Sequence, residues 1–404
     1  MKHQLLFELL KTAIGQRKVL SAVPSAKEWE AIYGLLSKHT LLGIGFVAIQ
    51  KLPEEQWPPK MLVLKWTSVA TAISHQNKTL NEESKSLCEE FRHDGVETVV
   101  IKGQSNLENY PEELRWYRTP GDIDLWCQAR NGVEIGEMVN GEVVKSEFHG
   151  IAGVIEYCKQ YERYRGRDIP WHRVLYYHCE LKSDNGIAIE PHYRISYLHS
   201  PVRNHRLQKW FKNQFDVCLQ NKCSLGFPVL TSSVNVVYQL VHLYRHIFEG
   251  GIGLRQLMDY YFALRVWHND VMECKDLQSQ GMWSEGLGTP VMSATEIMAV
   301  LRSFGMAKFA SAVMFVLQEV FPIPTHYYIC KPNEKEGKKL LAEIMQGGNF
   351  GHYDTRDAEL KRGGMMKHGL WKLKRVMRLV MSYPEEALWE PVFRVYHFGW
   401  RSFH

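Results

Sequence analysis

The run Gly121-Asp122-Ile123-Asp124-Leu125-Trp126 sets two acids two residues apart in an otherwise apolar stretch. On a strand, alternation sends Asp122 and Asp124 to one face and Ile123 and Leu125 to the other. Like charges side by side repel, so they need water or a cation, and a divalent metal is the natural occupant. The plainer alternative is a pair of solvated acids at a sheet edge. A lone Asp-x-Asp arises by chance about once in a chain of this length, so the apolar setting carries the argument. A third acid lies in a hairpin pattern: Tyr176 to Lys182, the turn Ser183-Asp184-Asn185-Gly186, then Ile187 to Tyr193, with Asn-Gly supplying positive φ. In the second strand Ala188, Glu190 and His192 share a face. If that strand pairs near the one bearing Asp122 and Asp124, three carboxylates converge in the arrangement that holds two Mg²⁺ ions for phosphoryl-type displacement.

A third piece is Val99-Val100-Ile101-Lys102-Gly103-Gln104-Ser105, an apolar strand ending in a turn. Such a turn presents backbone N–H groups, a lysine and a hydroxyl to phosphate, although its glycine content is too low for a P-loop or dinucleotide fingerprint. Other constellations have structural explanations. Arg255 and Asp259 stand four apart on a helix and suit an intrahelical ion pair. His242 and His246 lack the Glu of a zinc-protease motif and read as helix-packing residues. Trp116 and Trp126 flank the acid pair and are either core residues or platforms for a base. His192 is left without a role.

These residues need a sheet to position them, and the surrounding texture supplies one. From Leu5 to about Phe91 apolar positions recur at helical spacing; between Val96 and Tyr193 short β-branched or alternating runs alternate with Gly, Pro and Asn; from about Ser200 helical periodicity returns. One long helix is expected over 233–248, begun by Ser232 or Ser233 and stopped by Gly250-Gly251. The reading is an α+β chain with a small mixed sheet at 93–200, between a helical segment at 1–92 and a helical domain at 201–404. No solenoid repeat or low-complexity tract interrupts it.

The chain has 404 residues, 45% hydrophobic and 23% charged, which excludes disordered, collagenous and fibrous classes. A net charge of +5 neither demands nor excludes nucleic acid. Its most basic stretch, Lys361 to Arg378, holds no acid and is either a solvated helix face or a surface for a phosphate-bearing acceptor. The longest apolar run, Leu41 to Ile49, is too short to span a bilayer, and Glu8 and Lys11 break any signal-peptide core, so the expected location is cytoplasmic, with no membrane partner. The eight cysteines form no CxxC pair and are expected to be reduced thiols, without structural zinc.

Ile101-Lys102-Gly103, Tyr110, Arg118, Gly121 to Leu125, Ile189-Glu190-Pro191-His192, His246 and Gly251 to Asp259 together resemble the nucleotidyltransferase superfamily typified by DNA polymerase beta, and within it the uncharacterised nucleotidyltransferase family. The resemblance implies a nucleotidyltransferase fold in which Asp122, Asp124 and Glu190 are catalytic metal ligands for Mg²⁺ or Mn²⁺. It implies that Gly103 forms the phosphate turn, with Lys102 and Ser105 beside it. Gln104 stands where Gly or Ser is usual. Arg118, ahead of Arg115, is the arginine expected to reach phosphate, and Arg255 is expected to contact phosphate or brace the cleft, which should lie between the sheet and the C-terminal helices. The implied partners are a nucleoside triphosphate donor and an acceptor hydroxyl, with pyrophosphate leaving. The competing reading is a nucleotide-binding or antitoxin-like protein with the fold and little turnover.

Overall fold

A computed structural model describes residues 3–139, 142–279, 291–356, 358–361 and 363–402. In chain order its helices and strands begin with α1 (Gln4–Ala13), α2 (Ala26–Lys38), α3 (Leu42–Gln50), α4 (Lys60–His93), β1 (Glu97–Val100) and α5 (Glu112–Arg115). Then come β2 (Ile123–Gln128), β3 (Val133–Val139), β4 (Glu142–Phe148), α6 (Gly150–Tyr164), β5 (Leu181–Lys182) and β6 (Ala188–His192). The rest is helical: α7 (Pro201–Lys212), α8 (Phe215–Gln220), α9 (Ser232–Glu249), α10 (Leu254–Ser279), α11 (Ala294–Ser303), α12 (Ala307–Val320), α13 (Glu334–Gly347), α14 (Ala358–Lys361), α15 (Met365–Val380) and α16 (Pro384–Ser402). The mixed α+β class expected from the sequence is the one observed.

The chain packs into two compact units, each assembled from separate stretches of the sequence. One comprises residues 1–78, 106–119 and 232–387; the other comprises 79–105, 120–231 and 388–404. The change falls inside α4, and residues 106–119, in the link between β1 and β2, belong to the first unit.

The first unit is helical. Its α9 buries residues around its whole circumference, including Val234, Val237, Tyr238, Val241, Tyr244 and Phe248, as a helix apolar on all sides must. It ends where the sequence predicts: the Gly251 N–H donates to the His246 carbonyl at 2.7 Å, and Gly251 adopts φ +137°, a conformation open to glycine.

The second unit carries a four-stranded sheet in the order β1-β2-β6-β5 and a separate β3–β4 ribbon that the sequence reading did not foresee. β2 runs antiparallel to β1 and parallel to β6. Ile123, Leu125 and Cys127 of β2 join Ile189 and Leu181 in a core closed by Val154, Tyr157 and Cys158 of α6 and Leu87 and Phe91 of α4. On the other face Trp126 stands edge-on to Phe215 at 4.8 Å and is core, which settles its alternatives in favour of packing. All eight cysteines are free thiols, five of them buried.

The hairpin forms with a far shorter first strand than Tyr176 to Lys182. The Ser183 N–H donates to the Ile187 carbonyl and Gly186 takes φ +76°, as the turn chemistry demands, but only Leu181 and Lys182 pair as a strand. Upstream the chain doubles back, with the Leu175 N–H donating to the His178 carbonyl at 2.8 Å. Tyr176 and Tyr177 thereby turn into an aromatic cluster with Tyr197 and Phe393. Burying those rings outweighs ladder hydrogen bonds that a longer strand would gain.

Candidate active site

Parallel pairing of β2 with β6 sets Asp124 directly opposite Glu190 and Trp126 opposite His192. Because alternation keeps same-face residues together, Asp122, Asp124, Glu190 and His192 converge. One oxygen from each of Asp122, Asp124 and Glu190 lies within 4.8 Å of the others, and a similar group is formed by His178, Glu190 and His192. The strand pairing on which the convergence depended is present.

Lys102 enters this cluster from the turn after β1. Its Nζ is 2.8 Å from Asp124 Oδ1 and 3.9 Å from both Asp122 Oδ2 and Glu190 Oε2. An ammonium thus stands among the three carboxylates. His192 Nε2 lies 3.0 Å from Asp124 Oδ1 and 3.4 Å from Glu190 Oε2, and His178 Nε2 is 3.8 Å from Glu190 Oε1. The two imidazoles stack at 4.9 Å.

The electrostatics are those of a crowded site. Burial above all, with Asp122 and Glu190 beside it, pushes Asp124 up to about 7 against the pull of Lys102. Burial also opposes ionisation of Glu190, yet His178, Lys102 and His192 together hold it well below the usual carboxylate range. His192 is raised: burial works against its charge, and Asp124 and Glu190 overcome that.

Asp124 is 1% exposed, and its Oδ2 has no hydrogen-bond partner. A buried carboxylate oxygen left unmatched costs free energy, so it marks a position where a cation fits. Three carboxylates form a hard oxygen set that suits Mg²⁺ or Mn²⁺. The two imidazoles are donors of a softer kind, and His178 was missed because nothing in its local sequence sets it apart from other strand histidines.

The turn that delivers Lys102 needs its glycine. Gly103 adopts φ +63° and a Cβ there would meet the Asp122 carbonyl at 3.4 Å. Gln104 is buried and donates to Asn81 Oδ1 at 2.6 Å, while the Ser105 hydroxyl is buried without a hydrogen-bond partner.

Arg118 and Arg255 belong to the helical unit. Arg118 is buried, with Nε and Nη2 on the two oxygens of Asp259 at 2.6 and 2.8 Å, and Asp259 also accepts from the Tyr110 hydroxyl at 2.7 Å. Arg255 donates to the Thr119 carbonyl at 2.7 Å. Asp259, read as an intrahelical partner of Arg255, is therefore the bidentate partner of Arg118. Tyr110, Arg118 and Asp259, scattered in sequence, form one buried network. His242 and His246 pack with ring centroids 4.2 Å apart, as expected of helix-packing residues.

A cavity of about 910 Å³ in the sheet unit lies toward the far end of β2, lined by Trp126, Arg130, His149, Arg194 and Lys212 among others. None of the three acids lines it.

Residues 25–282 match a protein family described as uncharacterised nucleotidyltransferase. The chain belongs to that family. This nucleotidyltransferase match spans more than half of the sequence, takes in all three acids and the Lys102-Gly103 turn, and supports a nucleotidyl-transfer role. No curated protein and no solved structure matches the chain. Among the described residues, no helix is long and apolar enough to cross a membrane.

Proposed function

We propose that this protein is a metal-dependent nucleotidyltransferase that moves a nucleoside monophosphate from a nucleoside triphosphate to an acceptor hydroxyl. The acceptor oxygen forms a bond to the α-phosphorus, the α–β bridging bond breaks, and pyrophosphate leaves. The observation that carries the proposal is the register of β2 and β6, which sets Asp124 opposite Glu190 with Asp122 beside them. Asp122, Asp124 and Glu190 would hold Mg²⁺ or Mn²⁺. Bound there, the metal supplies Lewis-acid stabilisation of the charge that develops on the attacking and leaving oxygens.

The chain's own residues do the positioning. The Lys102 ammonium, on a turn made possible by Gly103, is within reach of the same carboxylates and can move onto a phosphate oxygen when a triphosphate enters. Ser105 offers a hydroxyl on the following turn. Glu190, held ionised by His178, Lys102 and His192, is suited to ligating the metal that would activate the acceptor hydroxyl. Arg118 is left out of the proposed phosphate contacts, because reaching a ligand would break its buried pair with Asp259. Arg255 keeps the bracing role on Thr119.

One observation favours the second reading, a nucleotide-binding protein with little turnover: Lys102 already neutralises part of the acidic cluster, as a resident cation would. Calorimetric titration of each of the four nucleoside triphosphates, with and without Mg²⁺, into wild-type protein and an Asp122→Asn/Asp124→Asn variant separates the readings when coupled to a pyrophosphate-release assay. Metal-dependent binding lost in the double variant, with pyrophosphate release, is the expected outcome. Binding without metal and without release selects the second reading, and no binding by folded wild-type protein overturns both.

A further inference from the structure

The basic segment 361–378, expected to be a solvated helix face or a surface for a phosphate-bearing acceptor, covers most of helix α15, whose two sides differ. Arg362 lies outside the described residues. Helix α15 docks in the helical unit through Trp371, Arg375, Val376 and Leu379, all buried, and Arg375 donates through Nε and Nη2 to the Ile247 carbonyl at 3.1 and 2.7 Å. The opposite side should be polar in a helix that faces water. Instead it carries a line of large apolar side chains at helical spacing: Met366 (88% exposed), Leu370 (47%), Leu373 (46%), Met377 (60%) and, one residue past the helix, Met381 (84%). At 1.5 Å per residue the line is about 22 Å long. Single exposed apolar residues are ordinary, but a continuous row of them marks an interaction surface.

Charge says what covers it. No Asp or Glu occurs from residue 360 to 384, a stretch that holds seven Lys and Arg. Lys367 and Lys374 are exposed on the flank of the apolar row. Nucleic acid would require cations along the centre of the surface, where this helix has methionine and leucine. A convex apolar ridge with cations along its side and no acid matches an anionic bilayer surface, into which the apolar side chains dip while lysines reach the headgroups.

We infer that α15 is a peripheral membrane-docking helix that seats the protein on anionic lipid. Attachment of this kind requires no crossing helix. It replaces the expectation of no membrane partner and is independent of the nucleotidyl-transfer reading.

The test is flotation of the full-length protein with vesicles of phosphatidylcholine alone and of phosphatidylcholine mixed with phosphatidylglycerol. The expected result is binding to the mixed vesicles, with little to the neutral ones. A Leu370→Ser/Leu373→Ser/Met377→Ser variant, altered only at exposed positions, should bind at least about tenfold more weakly while keeping its circular dichroism and unfolding midpoint. Lys367→Glu should weaken binding more at low salt than at high salt. Failure of wild-type protein to bind either vesicle overturns the inference, as does binding that the triple variant retains. So does a wild-type dimer that ignores vesicles and becomes monomeric in the triple variant, because a second copy would then be the occupant. Salt-steep binding to RNA without vesicle binding overturns it as well.

Discussion

Two charged clusters, one in each unit, balance their carboxylates to opposite ends. In the helical unit one guanidinium meets one carboxylate in a bidentate pair, and Tyr110 adds a further hydrogen bond to Asp259. Burial works against charge on Arg118, and Asp259 more than offsets it. In the sheet unit three carboxylates share one lysine and two imidazoles, Asp124 is pushed up, and one of its oxygens has no partner. A closed pair holds elements together. An unbalanced cluster keeps unmet demand for a cation, which a fold retains where a ligand meets it.

The sharpest way to break the comparison is to remove one member from each cluster. Asp124→Asn should lower Mg²⁺ or Mn²⁺ affinity by more than about 100-fold, beyond what loss of a supporting residue costs, with the unfolding midpoint held or raised. Titration of Mn²⁺ followed by its paramagnetic signal, alongside thermal unfolding, checks both halves. A variant that binds metal like wild type would remove Asp124 from the ligand set.

Arg118→Ala should do the reverse, destabilising the protein by about 3–5 kcal/mol by stranding the Asp259 charge. Denaturant unfolding measures the loss. Replacing the whole network, as Tyr110→Phe/Arg118→Met/Asp259→Leu, should recover most of it, because no buried charge then remains unpaired. A triple variant as unstable as the single one would mean that the network does more than satisfy itself.

His39 sharpens the contrast with a buried group that stays neutral. Its Nδ1 accepts from the Leu254 N–H at 3.3 Å, and burial, with Lys38 nearby, pushes it down to about 3. Above about pH 6.5 it is neutral folded and unfolded and contributes nothing to pH dependence. Between about 6.5 and 3 only the unfolded chain takes up the proton, so stability falls on acidification by up to about 1.4 kcal/mol per pH unit. Unfolding midpoints at about pH 7 and about pH 5 should therefore differ less in His39→Gln than in wild type.

The smallest expected effect is the most informative about Lys102. Lys102→Met should raise metal affinity in the absence of nucleotide and weaken metal-dependent nucleotide binding, since the ammonium competes with a cation in the first state and meets phosphate in the second. A variant that weakens both would mean that Lys102 supports the carboxylates instead of competing for them.

Much of the site was legible before folding was considered. Alternation in β2 placed Asp122 and Asp124 on one face, and Asn185-Gly186 announced the hairpin that carries Glu190. His178 was not legible, because a backbone reversal with no strong turn residue brings it to Glu190. Nor was the partner of Arg118, since Asp259 had a ready local explanation in Arg255. The hydrophobic row on α15 was obscured by the basic residues that interleave with it, and only burial of Trp371, Val376 and Leu379 on one side shows that Leu370, Leu373 and Met377 face away.

By itself the sequence determined what short windows can encode: helical period, strand alternation, the glycine turns at Gly103, Gly186 and Gly251, and the supply of acids in an apolar strand. The tertiary structure decided which distant groups meet. Parallel pairing of β2 with β6, the entry of Lys102 among three carboxylates and the closure of Arg118 on Asp259 join residues far apart in the chain. Local propensity is indifferent to such partners; they are chosen by burying apolar surface on both sides of the sheet and by the cost of leaving any charge unmatched inside.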